Sequence, residues 1–136
     1  MRVAVFGGTG FVGSYVCDAL VESDIQPVVL VRAGHESRLR HPDRCIMVTG
    51  DVGNSAAVDQ VLGQADAAIY TIGILREFPA RDITYRELQY EAPRRIIDRA
   101  ARLGVRRFLL MSANGVNPDG TPYQRTKYDA EQHLAA

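Results

Sequence analysis

The chain has 136 residues, 46% of them hydrophobic and 24% charged, which is the make-up expected of one soluble globular domain with a real core. Sixteen basic residues balance sixteen acidic ones, so no global field favours nucleic acid or an anionic membrane as partner. No apolar run approaches the ~20 residues of a membrane span, and the N-terminus enters a glycine-rich turn at once, unlike a signal peptide.

Val3-Ala4-Val5-Phe6 predicts a short buried strand, and Gly7-Gly8-Thr9-Gly10-Phe11-Val12-Gly13 follows it directly. The next segment carries Val12, Val16, Ala19 and Leu20 at helical spacing, so a helix with that apolar face is expected, ending near Ser23-Asp24. Strand, glycine turn and helix in this order bring backbone N–H groups and a helix dipole against an anion such as a pyrophosphate. In this reading Gly7 permits the tight turn, Gly10 lets a ligand approach the main chain, and Gly13 lets the helix pack on the strand. The spacing is Gly-x-x-Gly-x-x-Gly rather than the Gly-x-Gly-x-x-Gly of ordinary dehydrogenases.

Pro27–Val31 is a continuous apolar run, the pattern of a strand covered on both faces. Arg32 to Arg44 is polar and basic, a loop with a short helix around Ser37–Arg40. Cys45–Val48 is the third predicted strand, closed by Gly50-Asp51. Asn54 or Ser55 caps a helix carrying Val58, Val61 and Leu62, and Ala67–Tyr70 is the fourth strand. Gly73–Thr84 reads as a loop of mixed charge. A long helix follows with Leu88, Ala92, Ile96 and Ala100 at spacing four, kinked or restarted at Pro93 and ended by Gly104. Phe108–Met111 is the fifth strand, and a last helix starts at about Tyr123.

Five strands alternating with helices, without repeats or a linker, predict an α/β doubly wound parallel sheet of the Rossmann type with right-handed crossovers. The expected strand order is 3-2-1-4-5, with ligand at the carboxyl ends beside the point where the order reverses. Cys17 and Cys45 lack metal-ligand spacing and read as buried thiols of a reducing compartment, so the cytoplasm is the expected location.

An NAD-selective site places Asp or Glu at the end of the second strand to accept from the ribose 2′-hydroxyl. This chain has Arg32 there, which reads either as a planar fork for a 2′-phosphate or as a solvated loop residue. The phosphate reading is favoured, and with it NADP over NAD. His35 and Arg38 could add charge, but each alone reads as exposed. Asp51 is either a turn residue or an acceptor for the adenine amino group, with Val52 contributing its backbone. Thr71-Ile72-Gly73 follows the fourth strand where the chain passes the ribose, and Gly73 suits a close approach.

Tyr123 and Lys127 stand at i and i+4 of the last predicted helix and share a face. An ammonium near a phenol favours the phenolate and suits it to proton transfer. Ser112, just after the fifth strand, reaches the same area. By spacing alone such a pair is helix decoration; its place after the fifth strand of a nucleotide-binding fold favours catalysis.

These stretches together resemble the short-chain dehydrogenase/reductase superfamily. The resemblance is to its extended and atypical branches, the NAD-dependent epimerase/dehydratase group, and within that to proteins related to the 39-kDa subunit of respiratory complex I. The matching stretches are Gly7–Gly13, Leu30-Val31-Arg32, Gly50-Asp51-Val52, Ile72–Leu75, Gly104–Phe108, Met111-Ser112-Ala113 and Tyr123–Lys127, in family order. The resemblance implies that Gly7, Thr9, Gly10, Phe11 and Val12 hold the pyrophosphate, Arg32 the 2′-phosphate, and Asp51 and Val52 the adenine. It further implies that Lys127 holds the nicotinamide ribose, that Tyr123 is the general acid/base, and that Ser112 orients the substrate. Many members carry an asparagine where Gln89 aligns, which puts any proton relay through that position in question. Members also continue into a C-terminal substrate lobe, so truncation before that lobe is expected.

Two functions follow as expectations. One is an NADP-dependent oxidoreductase or epimerase acting by hydride transfer with the Tyr123/Lys127 pair. The other is a non-catalytic dinucleotide-binding subunit with a structural, assembly or redox-sensing role. A homodimer or a larger complex would cover the helices around Leu88–Ala100 and Tyr123, whereas nucleic acid has no aromatic-basic stripe to bind. The residues that choose a substrate fall in the Gly73–Thr84 loop or in the further lobe.

Overall fold

In the computed structural model, which describes residues 1–136, the apolar runs pair as one parallel sheet in the order β3-β2-β1-β4-β5. The strands are β1 (Arg2–Phe6), β2 (Gln26–Val31), β3 (Ile46–Thr49), β4 (Ala67–Tyr70) and β5 (Arg107–Leu110). The helices are α1 (Phe11–Glu22), α2 (Ser55–Leu62), α3 (Ala92–Arg102) and α4 (Pro122–Ala135). Val3, Ala4, Val5 and Phe6 lie opposite Pro27 to Leu30 on one side and Ala67 to Tyr70 on the other. The order reverses between β1 and β4, which opens a crevice at the carboxyl ends of the strands.

Alternation along the strands divides the core into two layers. Ala4, Phe6, Val28, Leu30, Ala68 and Tyr70 pack with Val58, Val61 and Leu62 of α2 and with Ile96 and Ala100 of α3. Val3, Val5, Val29, Val31 and Ala67 face the other way, onto Cys17 of α1 and Leu39. The Arg99 guanidinium grips the Asp59 carboxylate and ties α3 to α2.

Several local expectations shift. The fully buried stripe of α1 is Gly13, Cys17 and Val21; of the expected face Leu20 packs at the edge of this layer and Val16 is half-buried, whereas Val12 and Ala19 are exposed. The reason is contact at the turn: a Cβ on Gly13 would sit 1.9 Å from the Gly7 carbonyl oxygen, so that face seats the helix and Val12 is turned to the cleft mouth. The expected helix at Ser37–Arg40 is instead two 3₁₀ turns, Glu36–Arg38 and Pro42–Arg44, anchored between them by buried Leu39. Cys45 precedes β3 and is only half-buried, whereas Cys17 is buried as expected. Pro93 does mark a new helical start, at the second residue of α3, and a π-helical segment (Arg86–Glu91) leads into it. Gly104 takes φ +79° just past α3, the left-handed conformation of a helix terminator.

Candidate functional site

The crevice is a cleft of about 1160 Å³, and the loops after all five strands line it. β1 ends in Gly7, whose φ of +100° admits the turn; a Cβ there would meet the Thr71 hydroxyl at 2.5 Å. The Gly10 N–H closes that turn on the Gly7 carbonyl at 3.0 Å, and α1 begins at once. No side chain caps α1 and no acidic residue stands in its first turn. By contrast, Asn54 accepts from the Ala57 N–H to cap α2, and Thr121 and Gln124 form a capping box on α4. The first-turn N–H groups of α1 therefore have no partner in the chain and stand at the cleft wall.

Every residue singled out above as catalytic or cofactor-binding lines this one cleft. Gly7, Thr9, Gly10, Phe11 and Val12 come from the turn, Arg32 from the end of β2, and Asp51 and Val52 from the end of β3. Thr71, Ile72 and Gly73 come from the end of β4, Ser112 from the end of β5, and Tyr123 and Lys127 from α4. Arg32 is exposed and makes no ion pair. Arg38 joins it on the cleft wall, but His35 does not. Partial burial and the nearby Arg38 and Arg32 charges push the His35 imidazole below its ordinary range, opposed by Glu36, and so favour its neutral form. Asp51 Oδ1 accepts the Gly53 N–H at 2.8 Å, so this carboxylate does build the turn; its second oxygen has no partner in the chain.

On α4, buried Lys127 donates through Nζ to the Met111 carbonyl at 3.2 Å, and Nζ lies 6.0 Å from the centroid of the Tyr123 ring. Burial lowers the ammonium below the ordinary lysine range, opposed by the Glu131 charge. Ser112 Oγ is buried beside this pair without a hydrogen-bond partner. A buried hydroxyl left unpaired costs free energy unless something at the site completes it.

Sequence reasoning reached one wall of the cleft only as the Gly73–Thr84 loop, without singling out its residues, and did not expect Glu87 and Leu88 there. Leu75, Arg81, Asp82, Ile83, Thr84, Glu87 and Leu88 form its remaining wall, and Tyr85 packs edge-on against Tyr123 at 5.8 Å. Their mixed polarity has no period that would have singled them out. Gln89 is buried; its Nε2 donates to Thr126 Oγ1 at 3.1 Å while Oε1 has no partner.

Strand order, reversal point and an open glycine turn define a Rossmann-type fold with its cleft where such folds take nucleotides. The chain belongs to the NAD-dependent epimerase/dehydratase family, whose model matches residues 3–136. It is 27% identical over 135 residues to ceramide reductase from Caulobacter vibrioides, an alignment covering 98% of this chain and 42% of that protein. It is also 27% identical over 139 residues to the mitochondrial NADH-ubiquinone oxidoreductase 40 kDa subunit of Neurospora crassa, covering 94% and 35% of the two chains. The chain thus spans less than half the length of these relatives. Among solved structures, a Bacillus halodurans protein named for the NAD-dependent epimerase/dehydratase class superposes with a TM-score of 0.85. It shares 25% identity, and the match covers 98% of this chain and 64% of that one. The Bordetella bronchiseptica enzyme WbmH in complex with NAD+ has the same fold, with a TM-score of 0.81, 20% identity and coverage of 98% and 51%.

Proposed function

We propose that the chain is the dinucleotide-binding part of an NADP-dependent oxidoreductase or epimerase-type enzyme. The observation that carries this reading is the meeting, in one cleft, of the uncapped α1 N-terminus and unpaired Arg32 with Tyr123, buried Lys127 and unpartnered Ser112 Oγ. The residues fit the cofactor. Gly7, Thr9, Gly10, Phe11 and Val12 offer backbone N–H groups and space to the pyrophosphate, Arg32 a fork to the 2′-phosphate, and Asp51 and Val52 acceptors to the adenine. Thr71, Ile72 and Gly73 would pass beside the ribose, with Gly73 allowing the close approach. A bound nicotinamide supplies hydride transfer to or from a carbonyl or alcohol carbon.

The side chains supply the rest. Ser112 Oγ–H donates to the reacting oxygen and holds it at the cleft wall. Tyr123 Oη gives that oxygen a proton in reduction and removes it in oxidation. The Lys127 ammonium donates to ribose hydroxyls beside the Tyr123 ring, 6.0 Å from its centroid.

Titration with NADPH and with NADH, followed by melting temperature and fluorescence, tests the cofactor part. NADPH is expected to bind about tenfold more tightly, ~1.4 kcal/mol, with the difference abolished in Arg32→Gln. Equal affinity for both cofactors in the unaltered protein overturns the Arg32 assignment. Turnover with NADPH across carbonyl, quinone and nucleotide-sugar panels, lost in Tyr123→Phe, tests the chemistry.

The likeness to a respiratory complex subunit favours a second reading, a dinucleotide-binding subunit without chemistry. Co-purification in a larger assembly, with no turnover in any panel, selects it. Robust turnover by the isolated protein rules it out.

A further inference from the structure

The connection from β4 to the π-helical segment is a built hairpin. The Phe78 N–H donates to the Ile83 carbonyl at 2.7 Å and the Ile83 N–H returns the bond at 3.2 Å. Pro79–Arg81 makes the turn and Asp82 completes it at φ +56°. Tyr85 pins the base: its N–H donates to Glu77 Oε1 and its hydroxyl to the Leu75 carbonyl, both at 2.9 Å. The ring of Tyr85 is the one that packs on Tyr123, so the hairpin is held in place relative to the proposed acid/base.

This hairpin carries two arginines, Arg76 and Arg81, and two carboxylates, Glu77 and Asp82, and the arginines pair with neither carboxylate. The Arg76 and Arg81 guanidinium carbons lie 5.2 Å and 5.9 Å from the centroid of the same Phe78 ring. Neither arginine has a carboxylate within salt-bridge distance, although six other arginines of the chain do. Glu77, between them in sequence, is held by Tyr85, and Asp82 pairs with neither. One aromatic ring steadies both cations, and neither guanidinium fork is occupied by a carboxylate. Arg81 lines the cleft that Ser112 and Tyr123 also line, together with Leu75, Ile83 and Thr84 and with the carboxylates of Asp82 and Glu87. The hairpin leaves the end of β4, on the half of the sheet away from Arg32 at the end of β2.

We propose that Arg81, steadied with Arg76 on Phe78, is an anion-recognition residue for the substrate, which therefore bears a carboxylate or phosphate group near the reacting carbon. Naming this anion as part of the substrate rests on the enzyme reading of the cleft. A planar fork beside an apolar wall of Leu75 and Ile83 suits such a group, taken in a bidentate contact.

The test is calorimetric titration of the protein at low ionic strength with inorganic phosphate and, separately, with malonate, with and without saturating NADPH. Saturable binding of at least one probe is expected in the presence of NADPH, which leaves the glycine turn and Arg32 filled. The stronger probe identifies the group. Arg81→Gln weakens that binding at least tenfold, and Arg81→Lys weakens it less because charge is kept and the fork lost. NADPH affinity stays the same in Arg81→Gln, and its melting temperature reports an intact fold. The proposal is overturned if neither probe saturates, if Arg81→Gln binds like the unaltered protein, or if NADPH abolishes the binding that Arg81→Gln weakens. Failure of NADPH to bind would sink the cofactor reading alone, because the comparison of Arg81→Gln with the unaltered protein is also made without NADPH.

Discussion

Lys127 shows what the cleft costs at the scale of one residue. Its ammonium is buried and makes one hydrogen bond, to the Met111 carbonyl, so burial lowers it below the ordinary value of 10.5. The lowered value means that the folded chain holds this proton less tightly than the unfolded chain. The ammonium therefore destabilises the fold in full below its lowered value, and that cost disappears as pH rises toward 10.5. Lys127→Met is expected to raise the melting temperature at neutral pH, with a gain that shrinks at alkaline pH; a gain independent of pH would contradict the assignment.

At the scale of elements, α3 is held by what its inner face buries. Ala92, Ile96 and Ala100 repeat at spacing four and are all buried, Ile96 and Ala100 in the layer that holds Phe6, Tyr70 and the residues of α2. The Tyr70 hydroxyl donates to the Leu88 carbonyl at 2.6 Å, just ahead of the helix. Ile96 is fully buried, so Ile96→Ala removes packing that neighbouring strands cannot close over. A loss of ~2–5 kcal/mol in chemical denaturation is expected. Less than ~1 kcal/mol would mean that α3 docks through its ion pairs rather than its core face. Helical spacing alone marks this face, because a period near four in apolar residues is a local property. The π-helical segment ahead of it is not legible in the same way: its wider turn aligns buried Gln89 with Thr126 of α4, a contact 37 residues away in sequence.

For the whole molecule, the sheet is sandwiched unevenly. α2 and α3 cover one face, whereas on the face that α1 shares Leu109 of β5 remains half-exposed beside Ile69. No helix is long and apolar enough to cross a membrane. The Asp59–Arg99 pair links α2 and α3, and the hydrogen bond from Arg99 holds the Asp59 carboxyl below its ordinary 3.8. A lowered carboxyl stabilises the fold above its ordinary value and stops doing so as pH falls through the folded one. Asp59→Asn should therefore lower the melting temperature slightly at neutral pH and be indistinguishable from the unaltered protein in strong acid. The effect is small because both partners are partly exposed.

The sequence by itself determined the alternation of strands and helices, the strand order, the glycine turn and every residue expected at the cleft. The alternation and the turn rest on short-range signals, namely apolar runs, helical periods and turn residues whose backbone needs are local. The strand order follows from the topology rules for parallel α/β sheets, and the cleft residues from the family resemblance together with those signals. Tertiary structure alone decided which face of α1 is buried, since that depends on Gly13 meeting the Gly7 carbonyl. It also decided that Lys127 loses its water, and that Arg76 and Arg81 share Phe78 on a hairpin braced against Tyr123. Those outcomes depend on contacts between distant segments, where neither periodicity nor propensity carries information.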